Sequence, residues 1–372
     1  MPACCAHHSP TRRLVRHPET PCSGADRDEA ERARETKLEK MSGEARLSEF
    51  VSRCTGGGAV SLAPLAGDAS FRRYWRVNVD GRRYVLMDAP PDHEDVRPFL
   101  HIAGLLAEAG IHVPAVHCAD VAAGLVLLED LGDRLYLEAL GEDNADELYG
   151  LALETLARIA SAPPWTLAPY DRARLIEEMA LFPEWFLERH LGVVLDEAQR
   201  AILERSFEAL VGIALAQPQV FVHRDYHSRN LLITDREPPG VVDFQDAVHG
   251  PVTYDAVSLL KDSYIAWPRE RQLHWLERYR EMLVDRGVLR DTTEGQFVRW
   301  FDLMGVQRQL KVCGIFARLW HRDGKAGYLR DIPQTYRYLM AAAGRYPETR
   351  ELHDLLCALD LEPRMEDAGT NP

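Results

Sequence analysis

What the chain lacks narrows its class first. No uninterrupted apolar run approaches the ~18 residues that a membrane-spanning helix needs, which excludes an integral helical membrane protein. The amino end has no apolar central run of the kind a secretory signal carries. Basic charge is in deficit: 44 Lys and Arg stand against 58 Asp and Glu, a formal charge of −14, and such a body repels nucleic-acid backbones. A small anionic ligand would therefore need a local basic pocket. Disulfide-framework spacing is missing as well, because seven cysteines form an odd, scattered set in 372 residues. Cys4 and Cys5 lie near His7 and His8 but have no second cluster to complete a metal site. A reducing cytoplasm is the expected location.

What is present reads as a globular chain, with 46% hydrophobic and 27% charged residues, long enough for two lobes. Residues 1–43 have no aromatic side chain and few large apolar ones, so they are expected to be a disordered tail, with Met41 a candidate initiator. From residue 44 a short amphipathic helix is followed by strand-like runs at Val60–Ala66, Arg73–Asp80 and Arg83–Asp88. A helix over Pro98–Ala109 ends at Gly110, and two further strands are expected at Ala115–Asp120 and Gly124–Glu129. Past residue 131 long helical patterns take over, among them Arg174–His190 and Gly295–Arg318, interrupted by strand-like Leu231–Thr234 and Gly240–Phe244. The expected architecture is α+β in two lobes, with residues 44–131 strand-rich, residues 132–362 mostly helical, and a flexible end over 363–372. A monomer is favoured.

The strongest chemical signal is His223-Arg224-Asp225-Tyr226-His227-Ser228-Arg229-Asn230, followed by an apolar strand and Val242-Asp243-Phe244. Phosphoryl transfer from ATP depends on positioning and charge neutralisation more than on covalent help. Asp225 has the place of the carboxylate that faces an attacking hydroxyl. Asn230 and Asp243 offer the hard oxygens that Mg2+ prefers, at a spacing that lets both meet the phosphates. The pattern resembles a kinase catalytic loop with its metal-binding Asp. Yet Asp243 is followed by Phe244-Gln245-Asp246 rather than Phe-Gly, and the chain continues Gly250-Pro251-Val252-Thr253-Tyr254-Asp255.

His-x-Asp-x4-Asn, an Asp strand, then Gly-Pro-x-x-Tyr-Asp resembles the aminoglycoside phosphotransferase family of small-molecule kinases. Gly67 to Tyr74, Met87-Asp88-Ala89-Pro90-Pro91, Asp243 to Ala247 and Gly314 to Leu319 resemble one subgroup within it. That subgroup phosphorylates the anomeric hydroxyl of N-acetylmuramate and N-acetylglucosamine in cell-wall recycling. The resemblance implies a protein-kinase-like fold, an ATP and Mg2+ requirement and a small sugar as acceptor. It also implies that Asp255 anchors the catalytic loop, whereas the role of Asp246 stays open.

By the same resemblance, the loop over the ATP phosphates is Asp68 to Tyr74, with Ser70, Phe71, Arg72 and Arg73 as candidate contacts. Glu129 and Leu131, where the lobes meet, are candidates for the adenine through their main chain. The usual phosphate-binding Lys is absent, because Met87 occupies its strand position, so arginines are expected to replace it. A catalytically silent nucleotide-binding regulator is the alternative that Met87 raises. A kinase for another small hydroxyl compound, an aminoglycoside or an amino alcohol, is the other.

The local basic pocket has one candidate. Arg308, Lys311, Ile315, Arg318 and Arg322 follow a 3-4-3-4 spacing that shares one helix face. Such a stripe is either a solvated face or the border of the sugar site, and Arg308 and Lys311 are its candidate sugar contacts. Glu178 and Trp185, on a helix rich in aromatics, are candidate walls of that site, together with Tyr226 in the catalytic loop.

Overall fold

The computed structural model describes residues 43–65, 71–236 and 238–370, so the expected tail up to residue 42 and Ser70 lie outside the described residues. A helix over residues 43–55 (α1) leads into β1 (Val60–Pro64), β2 (Arg73–Val79) and β3 (Arg82–Asp88). Then come α2 (Val96–Glu108), β4 (Val116–Asp120) and β5 (Leu125–Glu129). The five strands form one antiparallel sheet in the order β1-β2-β3-β5-β4. Asp80 and Gly81, at φ 49° and 85°, close the β2–β3 hairpin in the left-handed turn that matches strand twist.

Strand alternation gives this sheet two apolar faces. Leu86 and Leu127 point to the side covered by Leu47, Phe50 and Val51 of α1. Met87 and Val126 point the other way, into the core that contains Phe99 and Ile102 of α2. That core is continuous with the second lobe, since Phe99 stacks on Phe244 at 4.9 Å. On the outer face Cys54 of α1 is disulfide-bonded to Cys118 of β4, a single bond among the described residues, in a cysteine set that lacks the spacing of a disulfide framework. The two cysteines are far apart in sequence, and only the packing of α1 on the sheet brings them together.

The second lobe is helical as expected, built from α3 (Tyr136–Ala139), α4 (Ala145–Ser161), α5 (Arg172–Leu181), α6 (Glu197–Leu215), α7 (Tyr254–Leu260), α8 (Arg269–Asp285) and α9 (Glu294–Asp323), followed by α10 (Ile332–Ala343), α11 (Arg350–Leu359) and α12 (Leu361–Thr370). The last corrects an expectation, because the end taken as flexible from residue 363 is helical through Thr370, with Leu361 and Met365 buried. The segment read as one helix over Arg174–His190 is α5 continued by a π-helical stretch, Phe182–His190. Pro183 lacks the N–H of an α-helical bond, and the wider π spacing accommodates the loss. Four short strands carry the catalytic loops: β6 (Gln219–Val222) pairs with β9 (Val248–Pro251), and β7 (Leu231–Leu232) with β8 (Gly240–Val241). Among the described residues no helix is long and apolar enough to cross a membrane.

Candidate active site

The catalytic loop begins where β6 ends. His223 is fully buried, and Asp255 fixes the turn by accepting from the backbone N–H groups of His223 (2.6 Å) and Arg224 (2.9 Å). This agrees with the anchoring role expected of Asp255. Arg224 then takes a positive φ of 79°, which turns the chain towards Asp225. The Asn230 side-chain amide donates to the Asp225 carbonyl (2.9 Å) and to Asp243 Oδ2 (3.2 Å), joining the two loops. Gln245 donates to the other oxygen, Asp243 Oδ1, at 2.7 Å. With its N–H groups spent in this way, Asn230 keeps its carbonyl oxygen for a cation. The pair therefore presents the hard oxygen donors that Mg2+ accepts. Among the described residues no group of three or more His, Cys, Asp and Glu could hold a metal, so further ligands would come from phosphate and water.

Two cavities meet at this pair. One of about 330 Å³ lies between the lobes, lined by Val85, Leu128, Glu129, Leu131, Asn230 and Asp243 among others. Its base is braced by Arg76 of β2, which pairs with Asp133 (2.7 Å) and Asp130 (3.0 Å) of the connector. The other, of about 380 Å³, is lined by Asp225, Asn230, Asp243, Asp246 and Asp262 on the loop side. Arg308, Lys311, Ile315, Arg318 and Arg322 of α9 line it opposite. The stripe read from the sequence is thus continuous, because α9 runs to Asp323, and all five members border the cavity that holds Asp225.

The charges there are unevenly satisfied. Lys311 donates to the Tyr254 hydroxyl (2.9 Å) and lies 3.4 Å from Glu178. Glu178 also pairs with Arg224 and accepts from the Tyr170 hydroxyl. Arg308 is only 5% exposed, yet its Nε and Nη1 have no hydrogen-bond partner among the described residues. Burial would raise the Asp225 carboxyl, but the charges of Lys311, His227, Arg224 and Arg308 outweigh it and hold the group below its ordinary value. Asp225 is accordingly a carboxylate at neutral pH.

The remaining candidates fall into two groups. Glu129 and Leu131 line the interlobe cavity. Arg72 lines neither cavity, but its charge acts on Asp243 and Asp246. Phe71 and Arg73 do not line either cavity: Phe71 is 63% exposed and stacks on His93 at 4.6 Å, and Arg73 is exposed at the start of β2. Three sugar candidates are placed elsewhere. Tyr226 is buried, with its hydroxyl on the Ala152 carbonyl (2.8 Å), and pins the loop to α4. Trp185 packs on the core under the Arg189 guanidinium, 4.0 Å from its ring centre. Glu178 is buried behind the cavity as the counter-ion of Arg224 and Lys311. Sequence reasoning missed Asp262, which accepts from Ser228 N (3.0 Å) and Oγ (2.5 Å) and from Tyr264 N (3.0 Å). Nothing in the local pattern marks it.

An antiparallel sheet over a helical lobe, with an Asp–Asn–Asp constellation at the seam of two cavities, defines the class of protein-kinase-like phosphotransferases. A profile of the phosphotransferase enzyme family matches residues 61–292. The chain belongs to that family. An N-acetylmuramate/N-acetylglucosamine kinase of Pseudomonas aeruginosa is 50% identical over 299 residues, which cover 80% of this chain and 88% of the relative. A protein of the same name from Pseudomonas putida is 46% identical, over 82% of this chain and 90% of its own. Among solved structures, a choline kinase from Streptococcus pneumoniae superposes with a TM-score of 0.57 at 11% identity, covering 80% of this chain and 99% of its own. At that identity the likeness concerns the fold alone.

Proposed function

We propose that the protein transfers the γ-phosphoryl group of ATP to the C1 hydroxyl of N-acetylmuramate or N-acetylglucosamine, in the cytoplasm, where it serves peptidoglycan recycling. The observation that carries this reading is an acceptor cavity that opens onto Asp225 and has a basic α9 wall, in a chain half identical to a relative of that name. ATP would occupy the interlobe cavity, its adenine against Glu129 and Leu131 and its phosphates towards Arg72, Asn230 and Asp243. Mg2+ held by Asn230 and Asp243 would neutralise phosphate charge. Asp225 orients the sugar hydroxyl. Its oxygen forms the new bond to the γ-phosphorus, the bond to the β–γ bridging oxygen breaks to release ADP, and the proton passes late to Asp225. An anomeric hydroxyl is more acidic than an ordinary alcohol, so a weak carboxylate base suffices.

The α9 stripe separates this reading from a cationic acceptor. An aminoglycoside or choline-like ammonium against Arg308, Lys311, Arg318 and Arg322 would meet like charge and have only the aspartate wall to hold it, whereas a neutral or carboxylate-bearing sugar can use the α9 wall. Arg308, buried with two unpartnered donor nitrogens, supports contact with the sugar's acyl or lactyl oxygens. The test is a panel of free sugars, methyl glycosides and aminoglycosides with MgATP, the new phosphate being located by NMR. Phosphorylation at C1 of the free N-acetyl sugars and none of the methyl glycosides is the expected result. Phosphate on an aminoglycoside or a C1-blocked sugar would overturn the assignment. Asp225→Asn is expected to retain ATP binding and lose nearly all turnover.

A further inference from the structure

Kinases usually hold the ATP phosphates with a Lys on the third strand, fixed by a Glu of the following helix. Here Val85 of β3 lines the interlobe cavity, and Met87, two residues on and on the same face, is fully buried among α2 side chains. No cation can come from that strand position. The turn after β3 supplies a different arrangement. Ala89 donates to the Gly124 carbonyl (2.9 Å), and the Pro90 carbonyl accepts from the N–H groups of both His93 and Glu94 (2.9 Å each). Glu94 is thereby presented one residue ahead of the α2 N-cap, Asp95. It meets Arg72, within the expected phosphate loop, with Nη2 to Oε2 at 3.1 Å and side-chain exposures of only 14% and 17%. The Arg72 charge also interacts with Asp243 and Asp246. On the far side of α2, Phe99 stacks on Phe244, the residue after Asp243.

We infer that Arg72 is the phosphate-binding cation of this enzyme and that Glu94, delivered by the Met87-Asp88-Ala89-Pro90-Pro91 turn, is its positioning residue, so that the ion pair lost from the third strand is rebuilt between the phosphate loop and the entrance of α2. The inference rests on the phosphotransferase reading. It assigns Glu94 a role and gives the Pro-Pro turn a purpose. Glu94 holds the guanidinium where its charge acts on Asp243, and the turn fixes Glu94. An Arg, with several N–H groups in one plane, can keep Glu94 and still donate to phosphate oxygens.

The test uses the full chain. ADP release is followed with ATP varied at saturating N-acetylglucosamine, and calorimetry measures binding of the non-hydrolysable β,γ-imido ATP analogue with Mg2+ and no sugar. Arg72→Gln is expected to lower kcat/KM for ATP on the order of a hundredfold and Glu94→Gln about tenfold, the range of charge-assisted hydrogen bonds. The KM for sugar should stay within twofold. Arg72→Lys and Glu94→Asp, which keep the charges, should recover part of the loss, which a merely structural role would not produce. Analogue affinity in Arg72→Gln within twofold of the parent would overturn the inference, as would a defect confined to the sugar KM. Because calorimetry involves no sugar, a wrong acceptor assignment would leave that arm intact. Should Arg72→Gln not fold, Arg72→Lys carries the comparison, and an unchanged kcat/KM for ATP in it and in Glu94→Gln would count against the pair.

Discussion

Arg308 concentrates the question of what the acceptor cavity recognises. A buried guanidinium with two unpartnered donor nitrogens forgoes hydrogen bonds that water would have supplied, a cost a bound ligand can offset. Arg308→Met keeps much of the volume and removes the donors. It is expected to raise the acceptor KM on the order of tenfold or more while leaving the ATP KM unchanged. N-acetylmuramate, with its carboxylate, should lose more than N-acetylglucosamine, and steady-state assays with both sugars check this. At this scale the sequence was informative where chemistry dictates residue type: Asp225, Asn230, Asp243 and Asp255 stand where their spacing put them. It failed where burial decides the role. Tyr226 and Glu178 have side chains suited to a sugar, but their polar atoms are spent on Ala152 and on Arg224 and Lys311. Asp262 acts through Ser228 over a separation that no local pattern encodes.

Among the elements, α9 does the most to shape the site. It runs for 30 residues past α5, α6, α7 and the π-helical stretch. At Gly314 it approaches the Leu181 backbone so closely that an added Cβ would overlap the Leu181 carbonyl group. That contact lies where α5 gives way to π spacing, which gives the glycine of the Gly-Ile-Phe-Ala-Arg segment a steric reason. Gly314→Ala should push α9 away from α5 and cost about 1–3 kcal/mol, typical of overpacking. Thermal melting of the variant, with the acceptor KM alongside, tests it, since the same shift would displace Arg308 and Lys311. The 3-4-3-4 spacing made the helix face legible, because periodicity is a local property. The π-helical stretch, the short β6 and β9 strands and the terminal helix were not legible, because each depends on partners distant in sequence.

For the whole molecule, stability should depend on pH through a histidine at the base of the catalytic loop. Burial lowers the His223 pKa from the ordinary 6.5 to about 4. The geometry agrees with a neutral ring, whose Nε2–H donates to the Val242 carbonyl (3.1 Å) while Nδ1 accepts from Asp225 N (3.3 Å). A second proton would face that N–H. The unfolded chain takes up this proton near pH 6.5 and the folded chain only near 4, so stability falls as pH drops through that interval. The loss from this one group is on the order of 3 kcal/mol. His190, also lowered to about 4 by burial and by His321, adds in the same direction. Urea unfolding between pH 7 and 4 should show the decline, and His223→Gln should flatten part of it. Undiminished stability at pH 4.5 would refute the account. Net charge behaves differently at this scale: the −14 of the whole chain says nothing of the acceptor cavity, where four basic residues of α9 face four aspartates.

The Cys54–Cys118 bond makes a covalent ring of everything between its ends, and that ring contains β1, β2, β3, α2 and the Arg72–Glu94 pair. A protease cut anywhere inside it would leave both fragments attached. Limited digestion of the oxidised protein should therefore give a nicked species that keeps full mass on a non-reducing gel and separates into two pieces only with thiol. The nucleotide half of the molecule can be opened in sequence and still remain one body in solution.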